Sequence, residues 1–272
     1  MSDRMSSLAS RAMVVFLFVL YLGPMYVLVA TSLKSKDQLG ASASNPIFTP
    51  TLDAYEQVIN EDLFRAMASS LQIALGTTLL VLVIGVPAAY YLARARGWVV
   101  PMLLAGLVLL QMPPSATTVI PLFRVVVGWG LANSLLGVIV AISAALTPFA
   151  ILLMRPFFMA VPREIEEAAQ IDGASRIRAL RSVVLPVASN GIITVAILTF
   201  VIAWGEFLYS IVILTDPLQY PISALLSQQI TMLGTQWPAL MALSLLTALP
   251  IIAIYLVLQR RVIDGLSTGA VK

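Results

Sequence analysis

Cysteine and histidine are both absent from the 272 residues. With them go disulfides, thiol nucleophiles, imidazole bases and the commonest zinc and haem ligands. Neither a metal site nor a catalytic residue is expected in this chain. Lysine occurs only at Lys34, Lys36 and Lys272, and no Gly-Lys dipeptide exists. A phosphate-cradling P-loop needs that pair, so the sequence has no ATPase motif of its own. Charged residues make up 11% of the chain, against about 25% in soluble domains. The net charge of +3 comes from basic residues scattered singly or in pairs. They form no basic face for nucleic acid.

Apolar sequence is what the chain has in quantity, at 60% hydrophobic residues. Runs at 13–33, 67–93, 99–127, 135–154, 192–214 and 238–258 each reach the length of about 20 residues that crosses a bilayer. The expected fold class is therefore all-α, a polytopic membrane protein with six transmembrane helices. The first run follows Arg4 and Arg11 like a signal sequence, but it exceeds the roughly 7 to 15 residues of a signal core. The cleavage-like Ala41-Ser42-Ala43 lies beyond Lys34 and Lys36, so a retained anchor is expected. Pro113-Pro114 and Pro121 interrupt the third run. A bilayer tolerates such breaks only against protein or a water-lined cavity, which places this helix toward the protein interior. Residues 34–65 form the longest polar insert, with Pro46 and Pro50 as breakers and a short amphipathic stretch at 53–65.

Charge placement sets the orientation. With the amino terminus inside, the cytoplasmic segments hold Arg4, Arg11, Arg94, Arg96, Arg155, Arg163, Arg176, Arg178, Arg181, Arg260, Arg261 and Lys272. Lys34, Lys36, Arg65 and Arg124 lie outside, a ratio of twelve to four. That is the bias of the positive-inside rule, so both termini are expected to be cytoplasmic. No internal repeat divides the sequence, and a single transmembrane domain over 1–272 is expected.

The cytoplasmic segment 155–186 is too charged and too patterned for a plain connector. Pro162 suits a helix start. From there Ile165, Ala168, Ala169 and Asp172 share one face, with Glu164 and Glu167 largely on others. Gly173 fits the left-handed residue that ends a helix, and Ser175 can cap a second one with Ile177, Leu180 and Val184 on its apolar side. Two short helices at an angle are expected. Asp172 and Arg176 straddle Gly173 and do not count as a helix-surface ion pair.

Glu167-Ala168-Ala169, three residues, Gly173, nine residues, Val183, one residue and Leu185-Pro186 resemble the EAA loop of ABC importer permeases, with Val183 in place of the usual Ile. Asp172-Gly173-Ala174 has the form familiar from sugar importers. Two further stretches resemble the smaller permease of maltose-type carbohydrate transporters. One is the tail 259–272, with Gln259-Arg260-Arg261 and the run from Gly265 to the end. The other is Trp204-Gly205-Glu206-Phe207, where Gly205 departs from the subfamily's usual Asn. The resemblance covers most of the chain and implies the type I importer permease fold in the bacterial inner membrane. It implies a coupling helix seated in the ATPase through Glu167, Ala168, Ala169, Asp172, Gly173 and Ala174, and tail contact through Gly269, Val271 and Lys272. No cofactor is expected on this chain; ATP and Mg belong to the partner. The implied assembly holds a second, different permease, two ATPase subunits and an extracytoplasmic sugar-binding protein, set in lipid. The sugar stays open.

Several residues carry two readings. The tail is either a contact or a frayed polar end. Glu206 either lines the pathway with Trp204 or sits in an interfacial aromatic belt with Trp204 and Phe207. Gln111 and Asn190 are either pathway ligands or helix-packing groups. Tyr220 and Trp237, in the outer segment that by resemblance touches the binding protein, either stack on sugar or anchor at the interface. Two other functions compete. A proton-coupled transporter is opposed by the scarcity of intramembrane acids. A membrane enzyme would have to use Asp53, Glu56, Glu61 and Asp62, which follow a surface-helix pattern.

Overall fold

A computed structural model describes residues 2–42, 47–231 and 234–270. Ala43, Pro46, Val271 and Lys272, each named above, lie outside the described residues. The apolar runs become helices: α1 (Ser2–Ser32), α4 (Glu61–Arg94), α7 (Leu135–Ala160), α10 (Leu185–Trp204) and α13 (Trp237–Ala270). Shorter helices connect them: α2 (Lys36–Ser42), α3 (Asp53–Val58), α5 (Val99–Gln111), α6 (Ser115–Gly128), α8 (Arg163–Ile171), α9 (Arg176–Ala179), α11 (Leu208–Ile213) and α12 (Ile222–Ser227). The only described strands, β1 (Ile230–Thr231) and β2 (Gly234–Thr235), form a small antiparallel hairpin.

Five helical stretches are long and apolar enough to cross a membrane: Met13–Ser32, Glu61–Arg94, Leu135–Ala160, Arg176–Trp204 and Trp237–Val257. Where the sixth span is expected stands a bent pair, α5 and α6, turned through 101°, which makes a sixth crossing if the pair is one span. Pro113 and Pro114 explain the bend. Each lacks an amide donor, and Pro114 in turn pushes Pro113 out of the helical region. Pro121 stays inside α6 without ending it. Within this chain α5 buries only Val100, and α6 buries Val119 and Val126.

The chain divides into two compact units. The first comprises Met1–Phe64 with Leu225–Pro250. In it the polar insert folds back on the end of α1. The Thr51 amide donates to the Leu33 carbonyl at 2.8 Å, the Gln38 side chain donates to the Thr49 carbonyl, and the Ser32 and Tyr55 hydroxyls pair at 2.9 Å. The amphipathic stretch at 53–65 splits: α3 ends at Val58, and the Asn60 side chain accepts from the Leu63 amide at 3.0 Å to start α4.

The second unit comprises Arg65–Ala224 with Ile251–Lys272. Its core joins α4, α7 and α10 through Val81, Ala89, Leu92, Met154, Phe158, Ala188 and Val195. Gly191 sets the α7–α10 approach, since a Cβ there would overlap the Phe157 ring. Interiors packed to crystal density cannot absorb such an overlap without moving a helix.

Gly265 and Gly269 continue α13, which runs helical to Ala270.

Candidate functional site

The loop between α7 and α10 matches its expected local geometry at the joint. Pro162 occupies the N-cap position rather than the first turn, and α8 begins at Arg163. Gly173 has φ +89°. Its amide donates to the Gln170 carbonyl, and the Ala174 amide donates to the Ala169 carbonyl, each at 3.0 Å. These two bonds make a Schellman ending, which requires a left-handed residue and so favours glycine. The Ser175 hydroxyl then accepts from the Arg178 amide.

The second short helix is not separate. After α9 the chain passes through a single π-helical stretch, Leu180–Val184, directly into α10. An α-helix carrying Pro186 would drive its ring against the carbonyl four residues earlier, Ser182, and the wider turn there relieves that clash. The joint at Gly173 therefore connects α8 to a membrane-crossing helix without a break. Of the proposed apolar side, Val184 is buried while Ile177 is 65% exposed.

Most of α8 faces outward. Glu167, Ala168, Asp172 and Gly173 are exposed, and Ala169 and Ala174 are half-buried. Ile165 and Ile171 are exposed at 44% and 86%. A helix that keeps small and aliphatic side chains on an outer face carries surface that a partner can cover.

Its one buried side chain is Glu166, which the sequence reading passed over. Glu166 accepts from the Tyr90 hydroxyl and from Arg94 Nε at 2.9 Å. Arg94 also donates to the Val161 carbonyl at 3.0 Å and lies over the Tyr90 ring, which meets Phe158 edge to face. The carbonyl end of α4 is held from the other side: Arg155 donates to Leu92 at 3.1 Å and Arg163 to Arg94 at 2.9 Å. Cations at a helix carboxyl end satisfy its free carbonyls and oppose its dipole. The available signal was Tyr90 and Arg94, four apart on one face at the end of an apolar run.

The second place of interest is the end of α10. The apolar run to 214 is not one helix. It stops at Trp204, Gly205 is the cap, and α11 starts at Leu208. Glu206 sits in the break, half-buried. One of its oxygens accepts from the Tyr209 amide at 2.9 Å, and its carbonyl accepts from the Ser223 hydroxyl at 2.8 Å. The other carboxylate oxygen has no hydrogen-bond partner among the described residues. The Tyr209 and Thr118 hydroxyls, 2.8 Å apart, join α11 to α6.

These elements line an open cavity of about 680 Å³. Gln111, Ser115, Thr117, Thr118, Glu206 and Tyr209 contribute its polar lining, among mostly aliphatic neighbours. Gln111 also donates to the Ala145 carbonyl at 3.0 Å, tying the α5–α6 bend to α7. The structure thus brings Gln111 and Glu206 to one cavity and leaves Trp204 and Asn190 out of it. Trp204 is 2% exposed and stacks on Phe200, so it forms no belt at a lipid surface. Asn190 is exposed along α10, where its carbonyl accepts from the Thr194 hydroxyl.

Outer residues divide likewise. Tyr220 is half-buried beside the Pro217–Gln219 turn. Trp237 is exposed and lines a cavity of about 620 Å³ with Lys36, Leu39, Thr235 and Gln236 in the first unit.

Residues 82–267 match the family described as binding-protein-dependent transport system inner membrane component. The chain is 32% identical to the diacetylchitobiose uptake system permease protein DasC of Streptomyces coelicolor, covering 95% of this chain and 94% of that one. It is 33% identical to the trehalose transport system permease protein SugB of Mycobacterium tuberculosis, over 82% and 83%. Its fold is similar to a chain of a bacterial ABC transporter that imports the acidic polysaccharide alginate, with a TM-score of 0.80 at 22% identity over 95% and 97% of the two chains.

Proposed function

This chain belongs to the family of binding-protein-dependent transport system inner membrane components, and from that premise we propose that it forms half of the translocation pathway of a sugar importer driven by a separate ATPase. The observation that carries the reading is the outward face of α8, with Ile165, Ala168 and Ile171 exposed beside a Schellman joint at Gly173. An element that must pass on displacement has to be rigid and accessible together, and α8 is both. Glu167, Ala168, Ala169, Asp172, Gly173 and Ala174 make the surface that enters the ATPase cleft, since small side chains permit close approach. Gly269, Val271 and Lys272 supply a second contact from the carboxyl end.

The pathway itself is assigned to the cavity of Gln111 and Glu206. A carboxylate with an open oxygen and no basic residue among its lining is suited to accept hydroxyl donors, the groups a sugar offers in number. A second permease of different sequence completes the pathway, two ATPase subunits bind ATP and Mg, and an extracytoplasmic binding protein delivers the sugar. Both termini face the cytoplasm of a bacterial cell, as the twelve-to-four distribution of basic residues supports.

The test is to purify the chain with its natural partners and screen sugars, each with the binding protein, for stimulation of ATP hydrolysis. One sugar that stimulates identifies class and substrate together. Transport by this chain without any ATPase subunit overturns the reading.

A further inference from the structure

We propose that Glu166, Tyr90 and Arg94 form a polar joint through which movement of α8 is passed to the membrane helix α4. The inference rests on reading α8 as the ATPase-contacting helix. Its own evidence is the side-chain geometry behind that helix.

Two routes lead from α8 into the membrane. One is covalent: the Gly173 joint, then α9 and the π stretch into α10. The other is non-covalent and leads to α4. Among the side chains of α8 only Glu166 is buried, so that helix meets α4 through a carboxylate rather than through an apolar ridge. The difference is mechanical. Aliphatic contacts are non-directional and can slide with little loss, whereas a charged hydrogen-bonded pair loses its stabilisation when displaced and leaves a buried charge behind.

Glu166 holds two groups on successive turns of α4, Tyr90 and Arg94. Arg94 holds the chain just before α8 as well, through the Val161 carbonyl. Arg163, the first residue of α8, returns a bond to the Arg94 carbonyl. The α4 end and the α8 start are therefore linked in both directions. Phe158, fully buried, sets the Tyr90 ring from the α7 side. Glu166, Tyr90 and Arg94 are positioning residues: none touches the cavity of Gln111 and Glu206, and their effect on transport runs through the placement of α4.

The experiment uses the complete transporter purified with its own partner subunits. Because the chain has no cysteine, spin labels can be placed singly on α4 at exposed Leu79 and on α7 at exposed Leu136, in a background where the partners' cysteines are removed. The interlabel distance is read before and after trapping with ATP and vanadate. The unaltered joint is expected to give a nucleotide-dependent change. Glu166→Gln is expected to lose most of it while the ATPase subunits still co-purify and still trap vanadate. Tyr90→Phe, which keeps the ion pair, is expected to lose less.

Should Glu166→Gln fail to reach the membrane, Arg94→Lys serves in its place. It keeps the charge but not the fork that reaches Glu166 and Val161 together. A full distance change in the variant that assembles overturns the joint, and so does the absence of any change in the unaltered transporter with its ATPase bound. If no ATPase subunit associates with the unaltered chain, the reading of α8 fails, and the inference fails with it.

Discussion

Glu166 and Glu206 are both carboxylates of the second unit, and they are held in opposite ways. Glu166 is 8% exposed, with one oxygen on Tyr90 and the other on Arg94. Glu206 spends one oxygen on the Tyr209 amide, leaves the other without a partner among the described residues, and lines a cavity without a basic lining residue. A saturated carboxylate beside a cation fixes one geometry, and has nothing left to offer a visitor. A carboxylate with an open oxygen keeps a place for a donor from outside the chain. The first is therefore read as structure that transmits, and the second as surface that recognises.

That contrast is topological before it is chemical, so its most decisive test is all-or-none. Cysteine placed at exposed Pro217, in the turn that follows Glu206 and α11, is expected to react with an impermeant maleimide in intact cells. Cysteine at exposed Ser175, beside α8, is expected to react only after permeabilisation. Labelling of both from one side would put the two carboxylates on the same face of the membrane and end the comparison.

Next in size is Gly173→Pro. Proline holds φ near −65°, and Gly173 stands at +89°. The substitution also removes the amide that donates to Gln170, so the turn that sets the angle of α8 is lost. Uptake of the stimulating sugar is expected to vanish while the chain still inserts and ATP hydrolysis loses its dependence on sugar. Wild-type uptake by an inserted variant would mean that α8 is not the coupling element. Gly173→Ala is milder, since a left-handed alanine costs about 1–2 kcal/mol and no neighbour lies within 4 Å of the new Cβ.

At the other end Glu206→Gln should act on recognition and leave coupling alone. Hydrogen bonds to a charged group contribute about 1.5–3 kcal/mol, so half-saturating sugar concentration is expected to rise about tenfold. The ATP hydrolysed per sugar moved should stay the same, because the proposed coupling loop is untouched. An unchanged concentration dependence would return Glu206 to the role of a cap for α11, and a changed stoichiometry would erase the distinction between the two ends.

How much of this was legible in the sequence follows the range of the interaction involved. Gly173 and Ser175 could be placed because their roles depend on neighbours within five residues: a helix ending that needs positive φ, and a hydroxyl three residues before its amide. The long helices were legible because burial in lipid imposes one rule on every residue of a span. Glu166 was not, because three of the four residues from 164 to 167 are glutamates and the choice among them is made by a tyrosine 76 positions away. The break at Gly205 was hidden in a continuous apolar run with a single weak breaker. The merging of α9 with α10 was hidden by Pro186, which reads as a helix start unless the preceding turn widens.

The smallest effect expected is at Gln111, and it sharpens the recognition end by dividing it. The Gln111 amide nitrogen donates to the Ala145 carbonyl, which holds the α5–α6 bend against α7. Its amide oxygen is left without a protein partner among the described residues in the cavity that also contains Glu206. Leucine has nearly the same size and can keep the packing, but it loses both polar groups. A neutral hydrogen bond contributes about 0.5–1.5 kcal/mol, so Gln111→Leu should raise the half-saturating sugar concentration only about threefold. Combining it with Glu206→Gln separates two cases. If both side chains touch one sugar, their effects couple and the double variant departs from the sum of the single free-energy changes. If Gln111 serves only to hold the bend, its loss lowers the amount of assembled transporter without altering concentration dependence, and recognition in this cavity rests on Glu206 with its hydroxyl neighbours.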